Sequence, residues 1–154
     1  MAEMIQRELG PKFEYIFQKE QLGTGHAVMV SKPKLLGQSK NVLVLYGDQP
    51  FITPDAIQSL METHKRNNAI LSMMTVIVRD FHDWRESFYG FGRVVRDKEG
   101  NLASIIELKD CSEDQKNIKE VNPSFFCFNS EWLWQNIDMI KNDNAQKEYY
   151  LTDF

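Results

Sequence analysis

The sequence has few features that would set it apart from ordinary globular proteins. Only two of its 154 residues are cysteine, Cys111 and Cys127. They show no metal-ligand spacing and are read as free thiols, so neither a disulfide framework nor a zinc site is expected. No long hydrophobic run exists: the longest nearly apolar stretch, residues 69–78, is too short to cross a bilayer as a helix. The first eight residues carry Glu3, Arg7 and Glu8 without an apolar core, unlike a secretory signal or a basic transit peptide, and a cytoplasmic location is expected. Basic charge is not in excess. A net charge of -4 with mixed signs offers no stripe to neutralise a phosphate backbone, which argues against a nucleic-acid polymer as partner but leaves a small phosphorylated ligand compatible. No internal repeat or low-complexity segment is visible, so one domain is expected.

What is present is a composition of 42% hydrophobic and 26% charged residues, arranged in alternating strand-like and helix-like segments. Residues 13–18 (FEYIFQ) alternate apolar and polar and predict a strand; residues 26–36 predict a helix that Pro33 must kink or end. The β-branched run 41–46 (NVLVLY), stopped by Gly47-Asp48-Gln49-Pro50, predicts a strand buried on both faces, as in a parallel sheet. Thr53-Pro54-Asp55 predicts a helix start, with Ile57, Leu60, Met61 and His64 on one face and an end near Asn67-Asn68. Residues 69–78 predict a second strand, paired parallel to the first through a right-handed crossover. Residues 92–96 and 102–108 predict a hairpin added to that sheet, which would then be mixed. Residues 111–119 predict a short helix and 124–128 a strand. Ser130-Glu131 predicts the cap of a helix carrying Leu133, Ile137 and Ile140. Asn142 and Asn144 are candidate caps after it, and 149–154 (YYLTDF) reads as the start of an element that has not buried its aromatics. The fold class is α/β.

Two segments carry chemistry. The loop 20–26 (EQLGTGH) sets two glycines around Thr24, which suits either an ordinary strand-to-helix turn or a loop that brings bare backbone against a ligand. His26 beside it reads as a capping or packing residue rather than a base. Asp48 follows a buried strand at its carboxyl end, where ligands of open α/β sheets collect. A lone carboxylate there can share Mg²⁺ with substrate phosphates, although a turn aspartate before a proline is equally consistent with the pattern. Glu107 and Asn122, polar groups near or in strands, could line a polar pocket or sit at solvated edges. No nucleophile-base signature is present.

Taken in order, EQLGTGHA at 20–27, LYGDQP at 45–50, FGRVV at 91–95, IIELKD at 105–110, EVN at 120–122 and NDNAQKEYYLTD at 142–153 resemble the N-acetylglucosamine-1-phosphate uridylyltransferases, the uridylyltransferase domain of the bifunctional bacterial enzyme. That resemblance implies a Rossmann-like nucleotidyltransferase fold of the GT-A-like, three-layer kind, with a mixed sheet and an inserted hairpin. It implies Mg²⁺-dependent reaction of UTP with N-acetylglucosamine 1-phosphate to give UDP-N-acetylglucosamine, a cell wall precursor, and pyrophosphate. By the same resemblance Gln18, Gly23 and Thr24 hold the uracil, Tyr46, Gly47 and Asp48 surround phosphates and sugar with Asp48 on Mg²⁺, and Gly92, Glu107 and Asn122 hold the amino sugar. Alternatives are another sugar-phosphate nucleotidyltransferase or a non-catalytic sugar-nucleotide-binding subunit, and a homo-oligomer is compatible. The 154 residues depart from the family pattern in four places. A G-x-G-T-x-M loop with its Pro-Lys pair and an asparagine beyond YYLTD are not among them, Pro123-Ser124 follows Asn122 where the family has Thr-Gly, and 81–91 is longer than usual. The expectation is therefore a single partial domain, 1–154, whose activity alone is doubtful.

Overall fold

The computed structural model describes residues 2–49 and 52–154; Met1, Phe51 and Pro50, the last residue of the predicted 47–50 turn, lie outside them. Helix α1 (Ala2–Leu9) buries none of its residues and runs into a 3₁₀ turn, Gly10–Lys12. Residues 13–18 form no described strand, contrary to their alternating pattern, because none of the described strands pairs with them. Helix α2 (Thr24–Leu35) follows, with Pro33 in its last turn; the proline removes an i→i−4 amide donor, and the helix stops two residues later. Strand β1 (Asn41–Val44) leads to helix α3 (Pro54–Arg66). The Thr53 hydroxyl caps α3 by accepting from the Ala56 amide at 3.2 Å, and Leu60 and His64 are its buried residues.

The apolar run 69–78 divides into two short strands, β2 (Leu71–Met73) and β3 (Val76–Ile77), which enter different sheets. A 3₁₀ helix, Asp83–Gly90, precedes the hairpin of β4 (Gly92–Arg96) and β5 (Leu102–Ile106). Asp97 closes that turn by accepting the Glu99 and Asn101 amides. Helix α4 (Glu113–Lys116) is the predicted short helix, fixed by a capping box between Ser112 and Gln115. Strands β6 (Glu120–Asn122) and β7 (Phe126–Asn129) and helix α5 (Ser130–Asn136) follow. The cap of α5 is Asn129, whose carboxamide accepts from the Trp132 amide, rather than Ser130-Glu131.

The strands form two sheets, ordered β1-β7-β2 and β3-β6-β4-β5. The expected parallel contact between β1 and β2 does not occur. Both run antiparallel to β7, which lies between them, so they share a direction without touching. Every described ladder is antiparallel, which replaces the expected mixed sheet. The strand period of two explains the layering: Phe126 and Phe128 pack with Val28, Leu133 and Ile137 under α2 and α5, while Phe125 and Cys127 pack with Leu60 of α3. Helices thus cover both faces of β7. Removing Phe128, fully buried, would cost about 3–5 kcal/mol. The terminal aromatics are not left bare either: Tyr150 and Leu151 are buried, and Phe154 packs edge-on against Phe128 and tilted against Trp132. No described helix is long and apolar enough to cross a membrane.

Candidate functional site

The glycine loop and the 144–151 segment hold one another. Gly23 has φ +103°, and a Cβ there would lie 2.7 Å from the Tyr149 carbonyl oxygen; one on Gly25 would lie 2.9 Å from the same atom. The Gly25 amide donates to that carbonyl, and the Tyr149 amide donates back to the Leu22 carbonyl. The space that the glycines open is therefore filled by the chain's own backbone on that side. Thr24, the first residue of α2, accepts the Leu151 amide at 3.0 Å. Gln18 completes the loop: its side-chain amide donates to the Gly23 carbonyl at 3.3 Å and to His26 Nδ1 at 2.9 Å. His26 is thus a packing and hydrogen-bonding residue, tilted against the Tyr149 ring.

Beside this loop the chain leaving β1 presents Tyr46, Gly47 and Asp48. Burial raises the Tyr46 phenol above its usual pKa, the neighbouring Thr24 and Ser124 side chains oppose the rise, and the charges of Glu107 and Asp48 add to it. One phenol therefore senses the strand-end aspartate and the β5-end glutamate together. Asp48 is exposed and makes no side-chain hydrogen bond or ion pair among the described residues. It stands on the shared rim of two openings, one of about 280 Å³ reaching Thr24 and Ala27, the other of about 580 Å³ reaching Phe88 and Phe125. Gln49 ties this turn to the β6–β7 connection by donating to the Pro123 carbonyl at 2.9 Å.

Gly92 and Asn122 face one another in register on β4 and β6. A Cβ on Gly92 would stand 3.3 Å from Glu107 Oε1, so the glycine leaves room for that carboxylate. Burial raises the Glu107 pKa, the Thr152 hydroxyl donates to Oε1 at 3.1 Å and opposes this, and the charges of Asp153 and Asp110 raise it further. Asn122 is buried: its Oδ1 accepts the Ser124 amide at 2.8 Å and its Nδ2 approaches Ser124 Oγ at 3.4 Å. Ser124 takes a positive φ of 64°, the conformation this bracing supports.

The structure thus brings Thr24, Tyr46, Asp48, Gly92, Glu107 and Asn122 to one region, with Gly23 in the adjoining glycine loop and Gln18 bonded to that loop. It adds residues that pattern alone did not single out: Ser124, Thr152 and the Tyr149 backbone. Asn144 is no helix cap; it holds Glu148 through both its amide and carbonyl atoms. Asp110 anchors the same segment by accepting the Ala145 amide.

A model of the nucleotidyl transferase family matches residues 1–154. The chain belongs to that family. Among curated relatives of this nucleotidyl transferase, the bifunctional protein GlmU of a Geobacillus species is 41% identical over 152 residues, covering 99% of this chain and 32% of the relative. Those of Bacillus licheniformis and Heliobacterium modesticaldum are 37% and 40% identical, with the same 99% and 32% coverage. The chain spans about a third of the length of these relatives. Among solved structures, a UDP-glucose pyrophosphorylase complexed with UDP-glucose superposes with a TM-score of 0.69 at 14% identity, over 92% of this chain and 52% of that one. An apo UDP-glucose pyrophosphorylase gives 0.65 at 13% identity, over 92% and 50%. The chain has the Rossmann-like nucleotidyltransferase fold.

Proposed function

We propose that this chain is the substrate-binding part of an enzyme that joins UTP and N-acetylglucosamine 1-phosphate into UDP-N-acetylglucosamine and pyrophosphate. The observation that carries this reading is that the neighbours Leu151 and Thr152 tie Thr24 to Glu107, while Gln49, next to Asp48, bonds Pro123, next to Asn122. It joins the proposed nucleotide, phosphate and sugar walls into one site. Gln18, Gly23 and Thr24 would face the base, and Tyr46 and Gly47 the phosphates. Glu107, with Gly92 beside it, would accept from sugar hydroxyls. Asn122 keeps one amide hydrogen beyond the one directed at Ser124 Oγ.

In this reaction an oxygen of the sugar phosphate attacks the α-phosphorus of UTP, a new P–O bond forms and the bond to pyrophosphate breaks. No protein nucleophile is required; positioning and charge neutralisation carry the catalysis. Among the described residues no group of three His, Cys, Asp or Glu side chains could hold a metal ion alone. An exposed Asp48 without a described partner fits the other mode, in which Mg²⁺ is held by one carboxylate and the substrate's phosphates. Mg²⁺ so held would neutralise phosphate charge.

The small-molecule substrates are a nucleotide and a sugar phosphate, and a cytoplasmic setting fits their supply. The test is direct. The full-length protein that carries these residues, given Mg²⁺, UTP and N-acetylglucosamine 1-phosphate, should release pyrophosphate, and omitting the sugar phosphate should stop it. Equal or faster release with glucose 1-phosphate or with another nucleoside triphosphate would replace this reading by a different sugar-phosphate nucleotidyltransferase.

A further inference from the structure

At the end of the sheet away from Asp48 lies a cleft of about 490 Å³, between the start of β1, the end of α3 and the start of α5. None of the residues that line it belongs to the uridylyl-transfer site proposed above. Asn41 opens β1 at this end, whereas Asp48 follows β1 at the other. Helix α3 spans the distance: its 13 residues run about 20 Å from the opening beside Asp48 to this cleft.

Two buried polar side chains form the floor, His64 at 2% exposure and Ser130 at 4%. His64 Nδ1 pairs with the Ser72 hydroxyl at 3.0 Å, and Nε2 has no partner among the described residues. The described side-chain atoms that are both sealed in protein and unpartnered are Trp134 Nε1 and the Tyr150 hydroxyl. His64 Nε2 and the Ser130 hydroxyl are therefore not sealed; they open onto the cleft. Burial lowers the imidazole pKa and favours the neutral ring. With Nδ1 accepting from Ser72, the ring proton sits on Nε2, a donor aimed into the cleft. Lys40 and Lys65 stand exposed on the rim, and neither has an ion pair among the described residues, unlike Lys32 with Asp138 or Lys116 with Glu113. Glu131 is the one carboxylate in the lining.

Two unpaired ammonium groups above an imidazole donor and a hydroxyl call for several acceptor oxygens and more than one negative charge. A phosphate group has both, with about -1.5 to -2 charge at pH 7 and three acceptor oxygens, whereas a carboxylate brings one charge for two lysines. We propose that this cleft is a second ligand site, one that takes the phosphate group of a small phosphorylated molecule. Lys40 and Lys65 hold the phosphate from the rim, and His64 Nε2 and the Ser130 hydroxyl donate to it from the floor. The cleft's volume lies within the range of about 300–1,000 Å³ for small-molecule pockets and leaves room for the rest of the ligand. The site stands whether or not the protein transfers uridylyl groups.

The test reads the two lysines directly in the full-length protein, by mass spectrometry after brief acetylation with an N-hydroxysuccinimide ester. Inorganic phosphate, compared with chloride at equal ionic strength, should slow acetylation of Lys40 and Lys65 at least about threefold at saturation. Lys98, exposed in the β4–β5 turn, should not change. Lys40→Ala should raise the phosphate concentration that protects Lys65 about tenfold, as loss of a charge-assisted hydrogen bond does. His64→Leu, which removes the floor donor, should raise it to a similar extent for both lysines; if that variant does not fold, Lys40→Ala at its exposed position decides alone. Protection no greater than at Lys98, or protection of Lys65 that Lys40→Ala leaves unchanged, overturns the proposal. So does stronger protection by acetate than by phosphate, or a pair of lysines that fails to react even in chloride because the rest of the protein covers them.

Discussion

The Gly25 amide donates to the Tyr149 carbonyl at 2.8 Å, across 124 residues of sequence. With the return bond from Tyr149 to Leu22, it makes the glycine loop and the 144–151 segment one unit, and Thr24 extends that unit to Leu151. Gly23 cannot be replaced without moving it: the residue needs both positive φ and the absence of a Cβ that would stand 2.7 Å from backbone. Gly23→Ala should therefore lower the free energy of unfolding by about 1–3 kcal/mol. Gly90→Ala, with nothing within 4 Å of its Cβ, should change it by no more than about 0.5 kcal/mol. Urea denaturation of the two variants checks this; equal losses would contradict it.

Asp48 separates function from stability. It is exposed and has no described side-chain partner, so Asp48→Asn should leave the unfolding free energy within about 0.5 kcal/mol of the parent. Loss of a charged ligand to a phosphate-bridging metal should lower Mg²⁺-dependent pyrophosphate release at least about tenfold. A rate within a factor of about two or three of the parent would show that Asp48 holds no metal.

Glu107 should act on the sugar and not on the nucleotide. Removing a charged acceptor costs about 1.5–3 kcal/mol, so Glu107→Ala should raise the KM for N-acetylglucosamine 1-phosphate by about ten- to a hundredfold. The KM for UTP should move by less than about threefold, because Gln18 and Thr24, proposed for the base, sit on a different loop. Steady-state kinetics with each substrate varied in turn decides it, and equal changes for both substrates would remove the assignment.

Local signals in the chain were legible where a single element contains its own cause. Thr53-Pro54 announces α3, and Asp97 to Asn101 announces the hairpin, because each cap or turn is closed by neighbours in sequence. Partner choice was not legible. The runs at 41–46 and 69–78 look alike whether they touch or are separated, and β7, which begins only at Phe126, inserts between them. Residues 13–18 show the same limit from the other side, since alternation specifies a strand's faces but supplies no ladder. For the site, the Gly-x-Gly spacing pointed to a close approach; that the backbone of Tyr149 makes one such approach is a long-range fact with no local trace.

The acidic groups around Glu107 make stability depend on pH. Burial raises its pKa above the ordinary 4.5, and the charges of Asp153 and Asp110 raise it further, while Thr152 opposes. Burial and Asp110 likewise raise Asp153 above 3.8, with the neighbouring Asn144 side chain opposing. The folded protein therefore holds these protons more tightly than the unfolded chain does. Their contribution favours folding fully below the unfolded pKa values and is lost as pH rises through the folded ones. Glu107→Gln keeps an acceptor for the Thr152 hydroxyl and removes the buried charge. It should raise the melting temperature most at high pH, where the parent is ionised, and the gain should shrink as pH falls, because the parent's Glu107 takes up its proton at a higher pH than an ordinary carboxylate does. Thr152→Val should move the parent's transition to higher pH by removing the one bond that favours the ionised form. Melting curves of the three proteins between pH 4 and 7 measure this, and a Glu107→Gln gain that is independent of pH would show that the Glu107 charge is not what opposes folding.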